Sequence, residues 1–284
     1  MPCAHPIPAV RGLFGGRPVL GEREVRAFED RADDVLAAAR LLFLPCGTCV
    51  GCQLSRARDW AIRCSLELPR HPTASFITLT YSDRYVPVTL QRWHYAGFIK
   101  RLRSRLSYPI RHFGCGEYGE TTSRPHYHAL LFGTDAEDEV RKAWRSGWVT
   151  VSEVTPARVS YTAGYCLKKV GYLDRKEVRV DRETGEEYVF QPPFVQMSRR
   201  PGIAGAARQF RQSWRSYAMH AGRKVPVPRF LHSSWKESAS ESELAQLELE
   251  KLESRMVRTI RELDAHEAIG ASRVRLTLER RYAL

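Results

Sequence analysis

No run in the sequence approaches twenty consecutive apolar residues, which excludes a membrane-spanning helix. The opening residues, MPCAHPIPAVRGLFGG, contain no apolar h-region, so no secretory signal is expected. Cysteine is present seven times, an odd number. Without an export signal these residues read as reduced thiols or metal ligands in a cytosol, not as a disulfide framework. No internal repeat is visible. Acid is missing from two long tracts. Between Asp83 and Glu117 stand seven basic residues (Arg84, Arg92, Lys100, Arg101, Arg103, Arg105, Arg111), and between Glu187 and Glu237 stand nine. Together they exceed the net charge of +13, so the rest of the chain is slightly acidic. Two acid-free basic tracts favour a polyanionic partner, nucleic acid first, although charge alone fits a solubilising surface equally well. The 284 residues, 43% hydrophobic and 27% charged, have globular composition. They suit one sizeable domain with appendages or two small ones.

Local patterns supply an order of elements. A helix from Glu22 to Leu42 is expected, and CGTCVGC (46–52) leads into an amphipathic helix ending near Pro69. ASFITLTY (74–81), rich in β-branched and aromatic residues, reads as a buried strand. Thr89 is placed to cap a helix from Leu90 to about Leu106, anchored by Trp93, Phe98 and Leu102. Strands near 110–117 and 126–132 follow, then a helix at 136–145 and a strand from Trp148 to Val154. Thr155 and Pro156 open a helix to about Val170. The order β-α-β-β-α-β-α predicts an α+β domain with a central antiparallel sheet flanked by helices. DRETGEEYVF (181–190) suggests a hairpin. A charged C-terminal helix is expected from Ser240 to His266, with one apolar stripe that suits packing on its own domain better than a coiled coil.

The chemistry-bearing residues are few. In PHYHALLF (125–132), residues two apart in a strand share a face, so His126 and His128 project together and Tyr127 lies opposite. Two imidazoles so spaced can hold one divalent ion if a third ligand approaches from a neighbouring strand. Glu117, in GCGEYGE, meets that need once the intervening loop returns the chain antiparallel. A lone HxH is commonly incidental and needs support. Tyr161, Tyr165 and Lys168 stand at i, i+4 and i+7, on one helical face. A phenol, with a pKa of about 10, attacks poorly unless a metal activates its electrophile or a nearby ammonium stabilises its oxyanion. The plainer account is an amphipathic helix surface. Cys46, Cys49 and Cys52 offer three thiolates where zinc wants four ligands. Cys3 is the preferred fourth, with Cys64 and His5 as alternatives and reduced thiols as the bland reading. An iron–sulfur cluster is disfavoured because no Cys-Pro follows the run. Thr78 and Thr80 lie on the first motif strand, where sheet packing explains them as well as contact with DNA does.

Taken together, FITLTY, GEYG, PHYHALLFG and YTAGYCLKK resemble the HUH endonucleases of rolling-circle replication. The match is closest to the two-tyrosine replication initiators of small single-stranded DNA phages, the microviruses of gokushovirus type. The CxHP of Cys3–Pro6, PCGTCVGCQLSRARDWAIRC, MSRRPGIAG (197–205) and VPVPRF (225–230) are similar to that group as well, and the tail from about 237 is unmatched.

The resemblance implies an enzyme that nicks and joins single-stranded origin DNA. Glu117, His126 and His128 would hold Mg²⁺ or Mn²⁺. Tyr161 or Tyr165 would form a 5′-phosphotyrosine, and Lys168 would neutralise phosphate or phenolate charge. It also implies action in the cytoplasm of a bacterial host, with the host helicase and polymerase as partners. The expected divisions are a Cys-rich segment at 1–70 that binds structural zinc, a nickase core at 71–175, a basic DNA-contacting region at 176–236 and a helical tail at 237–284. Arg101, Arg103, Arg199 and Arg200 are the candidate DNA contacts. The rivals are another HUH enzyme (a plasmid relaxase or a transposase) and a non-catalytic, zinc-stabilised DNA-binding protein.

Overall fold

The computed structural model describes residues 3, 7–10, 41–119, 121–168, 178–181, 184–209, 217–220 and 222–253. In chain order the elements are β1 (Ile7–Val10), β2 (Leu41–Leu44), α1 (Val50–Glu67), β3 (Ala74–Tyr81), α2 (Arg92–Arg105), β4 (Arg111–Tyr118), β5 (Pro125–Phe132), α3 (Glu137–Ala143), β6 (Gly147–Glu153), α4 (Pro156–Lys168), β7 (Val178–Val180), β8 (Glu187–Val189), β9 (Phe194–Met197), β10 (Ala218–His220), β11 (Arg223–Val225), α5 (Arg229–Lys236) and α6 (Glu241–Glu253). The chain divides into two compact units, one of residues 56–238 and one of residues 1–55 with 239–284.

The larger unit is built on a five-stranded sheet of order β6-β3-β5-β4-β9, antiparallel at every described pairing. Its strands read as near-continuous apolar runs because both faces are covered. On one face Ile77, Leu79, Tyr81, Tyr127, Ala129 and Leu131 pack with Tyr95, Phe98, Ile99 and Leu102 of α2 and Val140 and Ala143 of α3. On the other, Phe76, Phe113, Leu130 and Phe132 pack with Ala61 and Cys64 of α1 and Val159 and Ala163 of α4. The expected α+β architecture is therefore present.

Close packing dictates some of the composition. A Cβ at Gly114 would lie 2.2 Å from the Tyr95 hydroxyl, so only glycine lets α2 approach β4 this closely. The end of α1 is tied down by Glu67, 1% exposed, whose carboxylate meets Arg111 at 3.2 Å and His71 at 3.0 Å and accepts the Ala204 N–H at 2.6 Å. That contact explains the PGIAG motif: its turn docks on a buried carboxylate, whose oxygens need hydrogen-bond partners away from water.

Several expectations change. α2 begins at Arg92, capped at Gln91, because the Thr89 hydroxyl is engaged elsewhere, with Tyr118 at 2.7 Å and the Gln191 N–H at 2.8 Å. Phe98 and Leu102 are buried anchors, but Trp93 is 67% exposed. The helix expected over Glu22–Leu42 falls largely outside the described residues. Its last two residues instead open β2, paired antiparallel with β1 from Ile7↔Leu44 to Val10↔Leu41. The hairpin around Thr184-Gly185 is present as β7 and β8, with Gly185 at φ 75°. The C-terminal helix is described from Glu241 to Glu253. Ser240 and Glu243 form a reciprocal capping box there, with Ser240 N–H to Glu243 at 2.8 Å and Glu243 N–H to Ser240 at 3.3 Å. No helix among the described residues is long and apolar enough to cross a membrane.

Candidate metal and nucleophile site

β4 and β5 are joined by a turn in which the Gly119 N–H reaches the Arg124 carbonyl at 2.9 Å and the Ser123 N–H reaches the Gly119 carbonyl at 2.8 Å. This turn sets the register that pairs Glu117 with His126 and Cys115 with His128. Directly opposed residues share a face, so Glu117, His126 and His128 converge. The Nε2 atoms of His126 and His128 lie 2.9 and 3.2 Å from the same oxygen of Glu117, Oε1. All three ligand atoms are within 4.8 Å of one another. Tyr127, as expected, points into the opposite core, where its hydroxyl meets that of Tyr81 at 2.7 Å and donates to the Gln91 carbonyl at 2.9 Å.

Each histidine is oriented through its other ring nitrogen. His126 Nδ1 lies 3.1 Å from the Arg124 carbonyl oxygen, and His128 Nδ1 lies 2.9 Å from Thr78 Oγ1. Donation of Nδ1–H to those oxygens leaves the Nε2 lone pairs facing Glu117, which is the tautomer a metal requires. Two imidazole nitrogens and a carboxylate oxygen, gathered from one side, fit a divalent cation with positions left for substrate oxygens. Thr78, which the sequence left undecided between sheet packing and contact with DNA, is thus in contact with a residue of the cluster. Its signal lay in the register, which places it directly opposite His128.

α4 is opened by Thr155, whose hydroxyl accepts the Arg158 N–H at 3.2 Å, as the Thr-Pro pair predicts. The Tyr161 ring stands against His128, with centroids 5.4 Å apart and an angle of 77°, and against Phe76 at 6.5 Å. Phe76 stacks on His128 at 5.5 Å, so the tyrosine, the phenylalanine and the imidazole form one cluster. Tyr165 and Lys168 lie on the backbone of the same helix, and their side chains fall outside the described residues.

Arg101 and Arg103 do not join this site. They belong to α2, which packs on the opposite face, and they bond the Ala143 carbonyl at 2.8 Å and the Ile110 carbonyl at 3.4 Å. Arg199 and Arg200 are exposed just after β9, at the Phe113 end of β4 rather than the Glu117 end.

In the other unit, Cys3 joins Cys46, Cys49 and Cys52. Cys3 and Cys49 Sγ are 3.7 Å apart, Cys46 and Cys52 Sγ are 4.0 Å apart, and all four sulfurs lie within 4.8 Å of one another. Backbone N–H groups of Cys46 and Cys49 each reach a sulfur at 3.3 Å. Of the alternatives for the fourth position, Cys64 is buried in the sheet's core and His5 lies outside the described residues.

A five-stranded antiparallel sheet bearing a Glu-His-His cluster opposite a tyrosine helix has the architecture of Rep-like HUH domains. Residues 74–170, which run from β3 through α4 and hold every strand of this sheet except β9, match the family model described as replication-associated protein ORF2/G2P. The chain is similar to the replication-associated protein ORF2 of Spiroplasma virus 4, at 32% identity over 48% of this chain and 52% of the relative. It is also similar to the replication-associated protein VP4 of Bdellovibrio phage phiMH2K, at 31% over 45% and 49%. The replication-associated protein ORF4 of Chlamydia phage 1 is 28% identical over 44% and 38%. The resemblance to phage replication proteins read from the motifs is therefore met, and the chain spans about half or less of the length of these relatives. No solved structure matches it.

Proposed function

We propose that the chain is a rolling-circle replication initiator of a small single-stranded DNA phage. It would nick and rejoin one DNA strand through a tyrosine ester in the cytoplasm of the bacterial host. Glu117, His126 and His128 would hold Mg²⁺ or Mn²⁺. A divalent ion there supplies Lewis-acid polarisation of the scissile phosphodiester. The phenolic oxygen of Tyr161 forms a bond to phosphorus as the P–O3′ bond breaks. The phenol's proton passes to solvent and the departing oxygen gains one, leaving a free 3′-hydroxyl and a 5′-phosphotyrosine. The ester bond is exchanged rather than hydrolysed, so rejoining needs no further energy source. Tyr165, one turn further along α4, would cut the regenerated origin after one round, and the newly freed 3′-hydroxyl would attack the first ester to close the circle. Lys168 would offset phosphate or phenolate charge, while the host helicase and polymerase open and extend the strand.

The observation that carries this reading is the Tyr161 ring 5.4 Å from the ring of His128, one of three convergent ligands. The test is incubation with single-stranded origin DNA and Mn²⁺ followed by denaturing electrophoresis. A covalent protein–DNA adduct is expected. It should disappear in the Tyr161→Phe/Tyr165→Phe double variant and in His126→Ala, the latter retaining salt-sensitive DNA binding. An adduct that survives the double change overturns the tyrosine assignment, and none from the unaltered chain overturns nicking and favours a non-catalytic DNA-binding protein.

The cysteine cluster would hold a structural zinc ion. Tetrahedral Zn–S bonds of about 2.3 Å set sulfurs about 3.8 Å apart. The 3.7 and 4.0 Å separations support that assignment and are far too long for disulfides.

A further inference from the structure

The row of side chains that contains the metal cluster continues across the sheet. Register opposes Glu117 to His126, His126 to Thr80 and Thr80 to Trp148. Opposed residues share a face, so Trp148 projects on the side that carries the triad. Exposure rises along this row, from Glu117 at 3% through half-buried His126 and Thr80 to Trp148 at 60%. The neighbouring row repeats the gradient, from buried His128 through half-buried Thr78 to exposed Thr150. α4 covers this face through Val159 and Ala163, among Phe76, Phe113 and Leu130. The triad therefore opens onto a shelf that ends in an uncovered indole on the edge strand β6. Two strand spacings, about 10 Å, separate the backbones of His126 and Trp148.

A solitary exposed tryptophan is unremarkable, and Trp93 is one. It is 67% exposed on α2, on the opposite side of the sheet, with its indole N–H bonded to Gln91 at 2.9 Å. Trp148 differs by its place in the row. An aromatic face two strand spacings from the triad suits a strand whose phosphate lies at the triad and whose flat bases are free to stack.

We propose that Trp148 is a stacking platform for a base of the single-stranded DNA beside the scissile phosphate, holding the strand across the shelf while the triad and Tyr161 act on it. This rests on the nicking reading above and adds a substrate contact to it. Stacking on an indole is sequence-tolerant, so the contact would position the strand rather than read it.

The test uses the full chain without added Mg²⁺ or Mn²⁺, which prevents cleavage and leaves the thiol cluster undisturbed, and a fluorescein-labelled single-stranded oligonucleotide of mixed sequence, with its duplex as control. Trp148→Ala should weaken single-strand binding about tenfold, the value of one stacked base. Trp148→Phe should retain most of the affinity, and Trp93→Ala should bind like the unaltered chain. Duplex binding should be the same for all, since paired bases are not free to stack. Equal single-strand affinity of Trp148→Ala and the unaltered chain, or an equal loss in Trp93→Ala, overturns the platform. The two proposals fail separately. If Trp148→Ala binds normally while the unaltered chain forms an adduct with Mn²⁺, the platform fails and nicking stands. If Trp148→Ala loses affinity but no adduct forms, nicking fails and the platform stands.

Discussion

Thr78 shows how much of the site depends on single hydrogen bonds. Its hydroxyl sits 2.9 Å from His128 Nδ1, where it can accept that nitrogen's proton and leave Nε2 free to bind a cation. Without it His128 is free to protonate Nε2 and donate to Glu117 rather than present a lone pair. Thr78→Val keeps the β-branched shape a strand favours and removes only the oxygen. Adduct formation should fall about 10- to 100-fold at limiting Mn²⁺ and recover in part at high Mn²⁺, with thermal stability nearly unchanged. Thr78→Ser, which restores the hydroxyl, should recover activity. Equal loss in the valine and serine variants would assign Thr78 to packing alone. The sequence offered this residue as one β-branched strand position among several, because which side chain faces it is a property of strand pairing.

At the scale of elements, strands were the most legible parts. ASFITLTY and PHYHALLF are buried on both faces and lie where composition puts them, at 74–81 and 125–132. Helix starts were less so. The Thr89 hydroxyl serves Tyr118 and Gln191, from a distant strand and a distant loop, and no local rule reveals that competition. The Cys-rich segment combines both cases. CxxCxxC spacing gave three ligands, and the fold selected Cys3 over Cys64 by burying the latter in the sheet's core. Purified protein should contain about one zinc per chain, released in parallel with modification of four thiols by a mercurial reagent. Cys49→Ser should lose stoichiometric zinc. A zinc-free chain with the same four thiols freely titratable would refute the site. An iron content with visible charge-transfer colour would refute the choice of metal.

The whole molecule has a charge pattern and an acid sensitivity. Among the described residues, the four arginines expected to contact DNA do not gather around the Glu-His-His cluster: Arg101 and Arg103 lie on the far face, and Arg199 and Arg200 lie at the far end of β4. Acid sensitivity centres on His112, 5% exposed, whose ring Nδ1 lies 3.0 Å from the Tyr95 hydroxyl and whose backbone N–H donates to the Ser198 hydroxyl at 3.1 Å. Burial, and then the charge of Arg103, pushes its pKa from 6.5 down to about 3. An unfolded chain protonates this histidine near 6.5 and the folded chain only near 3, so stability falls as pH drops through that window. The slope is about 1.4 kcal/mol per pH unit. His94, lowered by burial and by Arg101, acts in the same direction. Denaturant melts at pH 7 and pH 5 should show this loss, and His112→Gln should shrink it. An unchanged pH dependence in that variant would rule out His112 as the source.

The sequence by itself determined the β-branched and aromatic runs that make the strands, the HxH pair on one face, the tyrosine spacing on α4 and the three-cysteine run, all of which are set by local composition and spacing. Tertiary structure alone decided that Glu117 meets both histidines, that Thr78 orients one of them, that Cys3 completes the thiol cluster and that Trp148 ends the row beside the site. Those outcomes depend on the register between strands and on contacts across tens of residues. Register arises from the packing of whole faces, and no single segment encodes it.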